Sequence, residues 1–376
     1  MTENNCKQPI ANTESDGECC CGLAANNNIE YRSLPVTGII QTPQGPVEIV
    51  STRWRLEDYT GMIAVRIGIN RMNYAVKPGL YAVGKPSADS PVLVSANYKL
   101  SFDILRRELA GHNLWILVID TKGVNVWCAA GKGTFGTMEL SRRVMMTGLS
   151  NIVTHRTLIL PQLGAPGVSA HMVKSFCEFA VIYGPVRAKD ISRFLSGGLK
   201  ADPRMRRVSF NLADRVTVSW LELALLTPKG IIISLLLWLL LSINKNGFSP
   251  ATGLTASAWL IALLWLTTLT GTVLSAALLP YLPGKAFSLK GGVTGFIVTL
   301  LFLVVIRHPL SVLGISSLLL LSSALSAFLA LNFTGSSTFT SLSGVQKEMK
   351  YSIPVIIAMT AAGTLLGLVD LLRKVL

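Results

Sequence analysis

Hydrophobic positions follow two regimes along the chain. From Val47 to Leu195 they come as short apolar runs separated by stretches with helical spacing. Val47–Val50, Val65–Ile69, Tyr81–Val83, Pro91–Val94, Leu114–Ile119, Thr157–Leu160 and Phe179–Tyr183 read as strands. Ser101–Leu109, part of Asn125–Thr147, Val168–Glu178 and Ala188–Leu195 read as helices. This alternation predicts a doubly wound α/β sheet. Ligands of such sheets bind outside the carboxyl ends of the strands.

Beyond residue 222 the runs become long. Leu223–Ile243, Gly253–Leu279, Gly291–Ile306, Pro309–Leu331 and Ser352–Val369 are five apolar stretches. Crossing a bilayer takes about 20 such residues. Pro228 and Lys229 interrupt the first stretch, and the third is short and ends at Arg307. The pattern predicts an all-α transmembrane domain of five helices, or four if one of these two does not span. Residues 1–30 are polar, without apolar periodicity, and read as a disordered leader with no secretory h-region. The predicted division is therefore 1–30 leader, 45–205 α/β domain, 206–222 basic juxtamembrane linker and 223–376 transmembrane domain.

Composition agrees with this division. The chain has 376 residues and is 50% hydrophobic, and only 14% are charged, against roughly 25% in soluble domains. That excludes a wholly soluble or wholly disordered protein. Of 34 basic and 20 acidic residues, 25 and 18 lie in residues 1–224, leaving 9 and 2 beyond. Arg204, Arg206, Arg207, Arg215 and Lys229 crowd the approach to the first span and place the α/β domain in the cytoplasm, with the chain in the inner membrane. Half of the net charge of +14 lies beside the spans, so nucleic acid is not expected as a partner. The spans carry almost no ionisable side chains, unlike most ion pathways, so they read as an anchor or docking platform.

Six cysteines form no disulfide framework and fit a reducing compartment. Cys6 and the run Cys19, Cys20 and Cys21 lie in the leader; that run is either incidental or a capture site for a thiophilic ion. Cys177 lies in an apolar helix and reads as structural. Cys128 lies in Asn125-Val126-Trp127-Cys128-Ala129-Ala130-Gly131-Lys132, after the apolar strand Leu114–Ile119. With Asn125 as N-cap, Cys128 falls in the first helical turn, where unpaired N–H groups and the helix dipole favour thiolate. Lys132 adds positive charge. The small residues Ala129, Ala130, Gly131, Gly133 and Gly136 imply that something wide and flat approaches. A cysteine at a strand–helix junction is also a common small core residue. Gly131–Gly136 matches G-x-G-x-x-G by letter only, since it starts well past the strand and lacks the following acid.

The segment Asn125–Lys132 resembles the cap-helix motif of the mercury-methylating corrinoid proteins, membrane-bound members of the corrinoid iron–sulfur protein family. The resemblance continues in Leu93–Asp103, Gln162–Val168 and Tyr183–Asp190. It implies a Rossmann-like domain holding a cobalamin-type corrinoid, with Cys128 as the lower axial ligand to cobalt and the catalytic residue. The implied cofactor-binding residues are Ser95, Asn97, Ser101, Asn125, Val126, Trp127, Cys128, Ala129, Ala130, Gly131, Lys132, Gln162, Gly164 and Gly167. Ser95 and Ser101 stand where the family pattern usually has Thr. Trp127 either packs beside the sulfur or anchors the helix in the core, and Asn125 caps the helix with or without a bond near the sulfur. His112, His155, His171 and His308 stand outside the Asp-x-His-x-x-Gly pattern that supplies imidazole to cobalt, and no Cys spacing fits a [4Fe–4S] cluster.

The implied activity is a corrinoid-dependent methyltransferase. It passes methyl as a carbanion equivalent from methyl-Co(III) to Hg(II), giving methylmercury. The implied partners are a small ferredoxin with two [4Fe–4S] clusters as electron donor, and a methylated folate or folate methyltransferase as methyl source. One alternative is a membrane-anchored corrinoid methyl carrier of one-carbon or acetyl-CoA metabolism. Another is a transporter with a regulatory α/β domain.

Overall fold

A computed structural model of the chain describes residues 30–244, 247–335 and 342–375. Residues 1–29, and with them Cys6 and Cys19–Cys21, lie outside the described residues. The α/β part is built on a mixed sheet of seven strands: β1 (Val36–Thr42), β2 (Gly45–Val50), β3 (Gly79–Val83), β4 (Val92–Ala96), β5 (Leu114–Ile119), β6 (Thr157–Leu160) and β7 (Ala180–Tyr183). Their order is β1-β2-β3-β5-β4-β6-β7. Strands β5, β4, β6 and β7 are mutually parallel, β3 runs antiparallel to β5, and β1 and β2 form an antiparallel pair.

Burial explains why the central strands carry unbroken apolar runs. Trp115, Leu117 and Ile119 of β5 enter one core, and Leu114, Ile116 and Val118 enter the other. The first core takes residues from α3 (Val126–Gly131), α4 (Thr137–Met146) and α5 (Ala170–Cys177). The second takes residues from α2 (Lys99–Glu108) and α6 (Ile191–Ser196). A strand covered on both faces has no polar side, so alternation disappears.

Two elements differ from the sequence reading. Order among the described residues includes β1, which lies before the predicted start of the α/β domain at residue 45. Val65–Ile69 is not a strand: Val65 and Arg66 close the helix α1 (Leu56–Arg66), and Ile67 is its C-cap. A buried ion network holds α1 to α2. Lys99 Nζ lies 2.9 Å from Asp58 and 2.6 Å from Asp103, while Arg106 lies 2.7 Å from Asp58 and 2.8 Å from Asp103.

Among the described residues five helices are long and apolar enough to cross a membrane. They are α7 (Leu212–Leu241), α8 (Pro250–Leu269) with its extension through a π-helical turn at Thr270–Leu274 into α9 (Ser275–Ala277), α10 (Phe287–Ile306), α11 (Val312–Thr334) and α12 (Leu342–Val375). Pro228 and Pro354 sit inside α7 and α12 without ending them. The first helix starts at Leu212 rather than Leu223 because Asn211 and Asp214 form a capping box there. Close packing of α10 on α11 rests on glycine. A Cβ on Gly291 would stand 2.4 Å from Ala330 Cβ, and one on Gly295 2.6 Å from Ser326 Cβ. Small residues let helix backbones approach where no hydrophobic force drives association in lipid.

Candidate functional site

The chain leaves β4 toward β5 on one side, then returns to place β6 and β7 on the other. The carboxyl end of β4 is therefore a switch point, where open α/β sheets form a crevice. Four sequence blocks meet at this end of the sheet. Asn97 follows β4, the Asp120–Asn125 loop leads from β5 into α3, Gln162–Gly167 follows β6, and Gly184 follows β7.

Asn97 locks the first two blocks together. It is fully buried, and its Oδ1 accepts bonds from Thr121 N–H at 3.1 Å, Thr121 Oγ1–H at 2.8 Å and Gly123 N–H at 3.0 Å. Its Nδ2 donates to Asp120 Oδ1 at 3.2 Å. The amide group is thus engaged by the protein, and Asn97 positions the loop instead of presenting itself to a ligand. The loop turns through left-handed backbone at Lys122 and Gly123, with φ of 57° and 70°. Glu139 of α4, paired with Arg143 at 2.6 Å, accepts the Asp120 N–H.

The loop delivers Asn125, whose Oδ1 accepts the Cys128 N–H at 3.0 Å. This is the expected N-cap. The cap takes the N–H of Cys128 itself, so that group is not directed at the sulfur. Cys128 is half-buried, on a helix of only six residues. Val126 packs against the core. Ala129 and Ala130 are buried, so they serve internal packing and not a ligand-facing surface. Trp127 is 45% exposed; it does not anchor α3 in the core. Lys132 is exposed at the C-cap.

The third block interlocks with the end of α3. A Cβ on Gly167 would stand 2.2 Å from Phe135 O and 3.0 Å from Ala130 Cα, and one on Gly164 2.5 Å from Phe135 Cε1. By contrast, a Cβ on Gly131 or Gly133 would meet nothing within 4 Å. Gln162 Oε1 is buried with no hydrogen-bond partner among the described residues. The site therefore combines open space above two glycines with an acceptor awaiting a donor. Ser95 is buried and donates to Ala96 O at 3.2 Å, and Ser101 is half-buried in the first turn of α2. His112 and His155 bond Ser192 Oγ and Ser90 O near the amino ends of β5 and β6, away from Cys128. Among the described residues no three His, Cys, Asp or Glu side chains converge as a metal site.

Sequence reasoning missed Thr121, Gly123 and Glu139, which hold the cysteine loop. The turn tetrapeptide Asp120-Thr121-Lys122-Gly123 was the available signal.

A family model described as CO dehydrogenase/acetyl-CoA synthase delta subunit (CdhD) matches residues 67–194. This range holds every block of the site. Similar proteins include the acetyl-CoA decarbonylase/synthase complex subunit gamma of Methanocaldococcus jannaschii, 35% identical over 97 residues that make up 25% of this chain and 20% of the relative. Subunit gamma 1 of Methanosarcina mazei is 33% identical over 153 residues, 38% of this chain and 32% of the relative. The Methanopyrus kandleri subunit gamma is 30% identical over 122 residues, 32% of this chain and 26% of the relative. The chain thus spans a fifth to a third of these relatives' length.

Proposed function

We propose that residues 45–205 form a Rossmann-like domain that binds a corrinoid over the carboxyl ends of β4, β5 and β6, and that the chain is a membrane-anchored corrinoid-dependent methyl-transfer protein. The observation that carries this reading is the convergence at Cys128. Three separately encoded segments fix a short helix that leads with a half-buried sulfur, beside open space at Gly131 and Gly133 and the unmatched Gln162 Oε1. The resemblance of these same segments to corrinoid iron–sulfur proteins supplies the cofactor class.

In this reading Cys128 would be the residue that holds the cobalt. Asn125 fixes the backbone that carries the sulfur, and Asn97 fixes the loop that carries Asn125. Gly131 and Gly133 would leave the corrinoid room, and Gln162 Oε1 would accept a hydrogen bond from it. A bound corrinoid would supply a methyl-carrying cobalt centre whose reactivity the protein ligand tunes.

The matches to acetyl-CoA decarbonylase/synthase subunits support a methyl carrier of one-carbon or acetyl-CoA metabolism, and this acceptor class has the wider support. The Asn125–Lys132 resemblance supports Hg(II) as methyl acceptor, since a sulfur donor is more electron-rich than imidazole and suits delivery of methyl as a carbanion equivalent to a soft cation. The names of the relatives given above do not refer to mercury, so the mercury reading rests on Cys128. A two-cluster ferredoxin as reductant and a methylated folate or its methyltransferase as source belong to both readings. Five spans anchor the chain, with the basic residues beside α7 on the cytoplasmic side.

The test is to reconstitute the full chain in lipid discs with cobalamin and methylate it. Cobalt bound to the wild type supports the cofactor. Release of methyl to Hg(II) by the wild type but not by Cys128→Ala supports the mercury reading. Transfer only to an acetyl-CoA-forming partner, unaffected by Cys128→Ala, supports the carrier. No cobalt retained by the folded protein contradicts both.

A further inference from the structure

Helix α1 turns its apolar side outward. Leu56, Tyr59, Ile63 and Ile67 recur at helical spacing and are 78%, 46%, 56% and 36% exposed, and Ile69 beyond them is 59% exposed. Facing inward on the same helix are Val65 and Asp58, the latter bound into the Lys99–Arg106 ion network. A surface helix of a soluble domain has the reverse arrangement.

The neighbour of this stripe identifies what covers it. The turn after α1 packs on α7: a Cβ on Gly68 would stand 3.2 Å from Leu221 Cδ1 and 3.4 Å from Leu225 Cδ2. The 30 residues of α7 are about 45 Å long, whereas the hydrocarbon layer is about 30 Å thick. About a third of α7 therefore stands outside the layer, and its long apolar run begins at Leu223, between the two leucines that Gly68 meets. The Ile67–Ile69 turn thus lies level with the edge of the hydrocarbon. Arg53 and Arg55 flank the stripe at one end, and Arg66 and Arg71 at the other; among these neighbours Glu57 is the exposed acid. Basic residues around an apolar stripe suit a surface carrying anionic headgroups.

We propose that α1 and the Ile67–Ile69 turn lie in the lipid leaflet adjoining the α/β domain, as an interfacial seat that holds the carboxyl ends of the parallel strands toward the membrane. Two contacts set that direction. Arg187, just past β7, pairs with Asp214 in the first turn of α7 at 2.6 Å. Met72 O, four residues beyond Gly68, stands 3.4 Å from where a Cβ on Gly123 would lie, in the loop that leads to Cys128. The chain from membrane edge to cysteine loop is thus short and packed. The proposal rests on α7 being a span, but not on the identity of any cofactor.

The test places an environment-sensitive fluorescent amino acid at Ile63, at Leu236 within α7 or at Glu48 on the exposed side of β2. Each full-length protein is reconstituted, one chain per lipid disc, with phosphatidylcholine and phosphatidylglycerol. Lipids spin-labelled near the headgroup should remove about half or more of the emission at position 63, as for a group roughly 5–10 Å deep. They should quench position 236 when labelled at mid-chain and leave position 48 unchanged. Quenching at 236 with none at 63 overturns the seat while keeping the span. Shielding of 63 from both lipid and aqueous iodide also overturns it and indicates a protein cover. No quenching at 236 overturns the seat together with the span on which it rests.

Discussion

Asn97 Oδ1 accepts the Thr121 hydroxyl at 2.8 Å, joining the end of β4 to the loop that carries Cys128. The same oxygen takes two backbone N–H groups, so one fully buried amide organises the approach to the candidate ligand. Asn97→Ala leaves the Thr121 and Gly123 N–H groups buried without an acceptor, at about 1–3 kcal/mol for the unsatisfied groups, while the Thr121 hydroxyl keeps Val124 O at 2.6 Å. We expect a lower unfolding temperature and weakened corrinoid binding, with faster hydrogen exchange confined to residues 120–128. Unchanged exchange in that loop would show that Asn97 does not hold it.

Two glycines at the site make a matched pair. Gly167→Ala drives a Cβ into Phe135 O and Ala130, an overpacking typically worth about 1–3 kcal/mol. Gly131→Ala meets nothing within 4 Å and gains up to about 1 kcal/mol of helix propensity. The first variant should lose thermal stability with or without cobalamin. The second should keep or gain stability while binding cobalamin more weakly, because the added methyl enters the space reserved for the ring. Equal cobalamin affinity of wild type and Gly131→Ala would remove Gly131 from the site.

The ion network between α1 and α2 makes stability depend on pH. Burial raises the Asp58 carboxyl, but the Arg55 N–H, Lys99 and Arg106 outweigh it and hold it at about 2, below its ordinary 3.8. A depressed carboxyl stabilises the fold above its unfolded value, so this contribution is complete above pH 3.8 and is lost as pH falls through about 2. Burial lowers Lys99, but Asp103 and Asp58 raise it above 10.5, so its contribution is lost only as pH rises beyond that range. Asp58→Ala should cost roughly 3–5 kcal/mol by leaving two buried cations with one carboxylate. Hydrogen exchange of α1 and α2 between pH 2 and 5 in the full chain measures this; a flat profile in the wild type would contradict it.

What the sequence made legible follows from burial. Leu114–Ile119 declared itself because both its faces are covered, and the five helices long and apolar enough to cross a membrane declared themselves by length. Helix α1 did not, because Asp58 faces inward and Leu56, Tyr59 and Ile63 outward; only its tail Val65–Ile69 looked regular, and it looked like a strand. Strand β1 escaped because four of its seven residues are exposed at a sheet edge. The cap at Asn125 was readable from local spacing, whereas Asn97 looked like a ligand contact because its partners Thr121 and Gly123 are more than twenty residues away. The outward setting of Trp127 depends on how α3 is docked, which no local pattern records.

The central claim is a bond between the sulfur of Cys128 and cobalt. Cobalt X-ray absorption on the cobalamin-loaded, membrane-reconstituted chain tests it directly. A sulfur neighbour in the wild type that disappears in Cys128→Ala, with the metal still bound, is the predicted result. A cobalt surrounded only by nitrogen and oxygen in the loaded wild type would contradict the account.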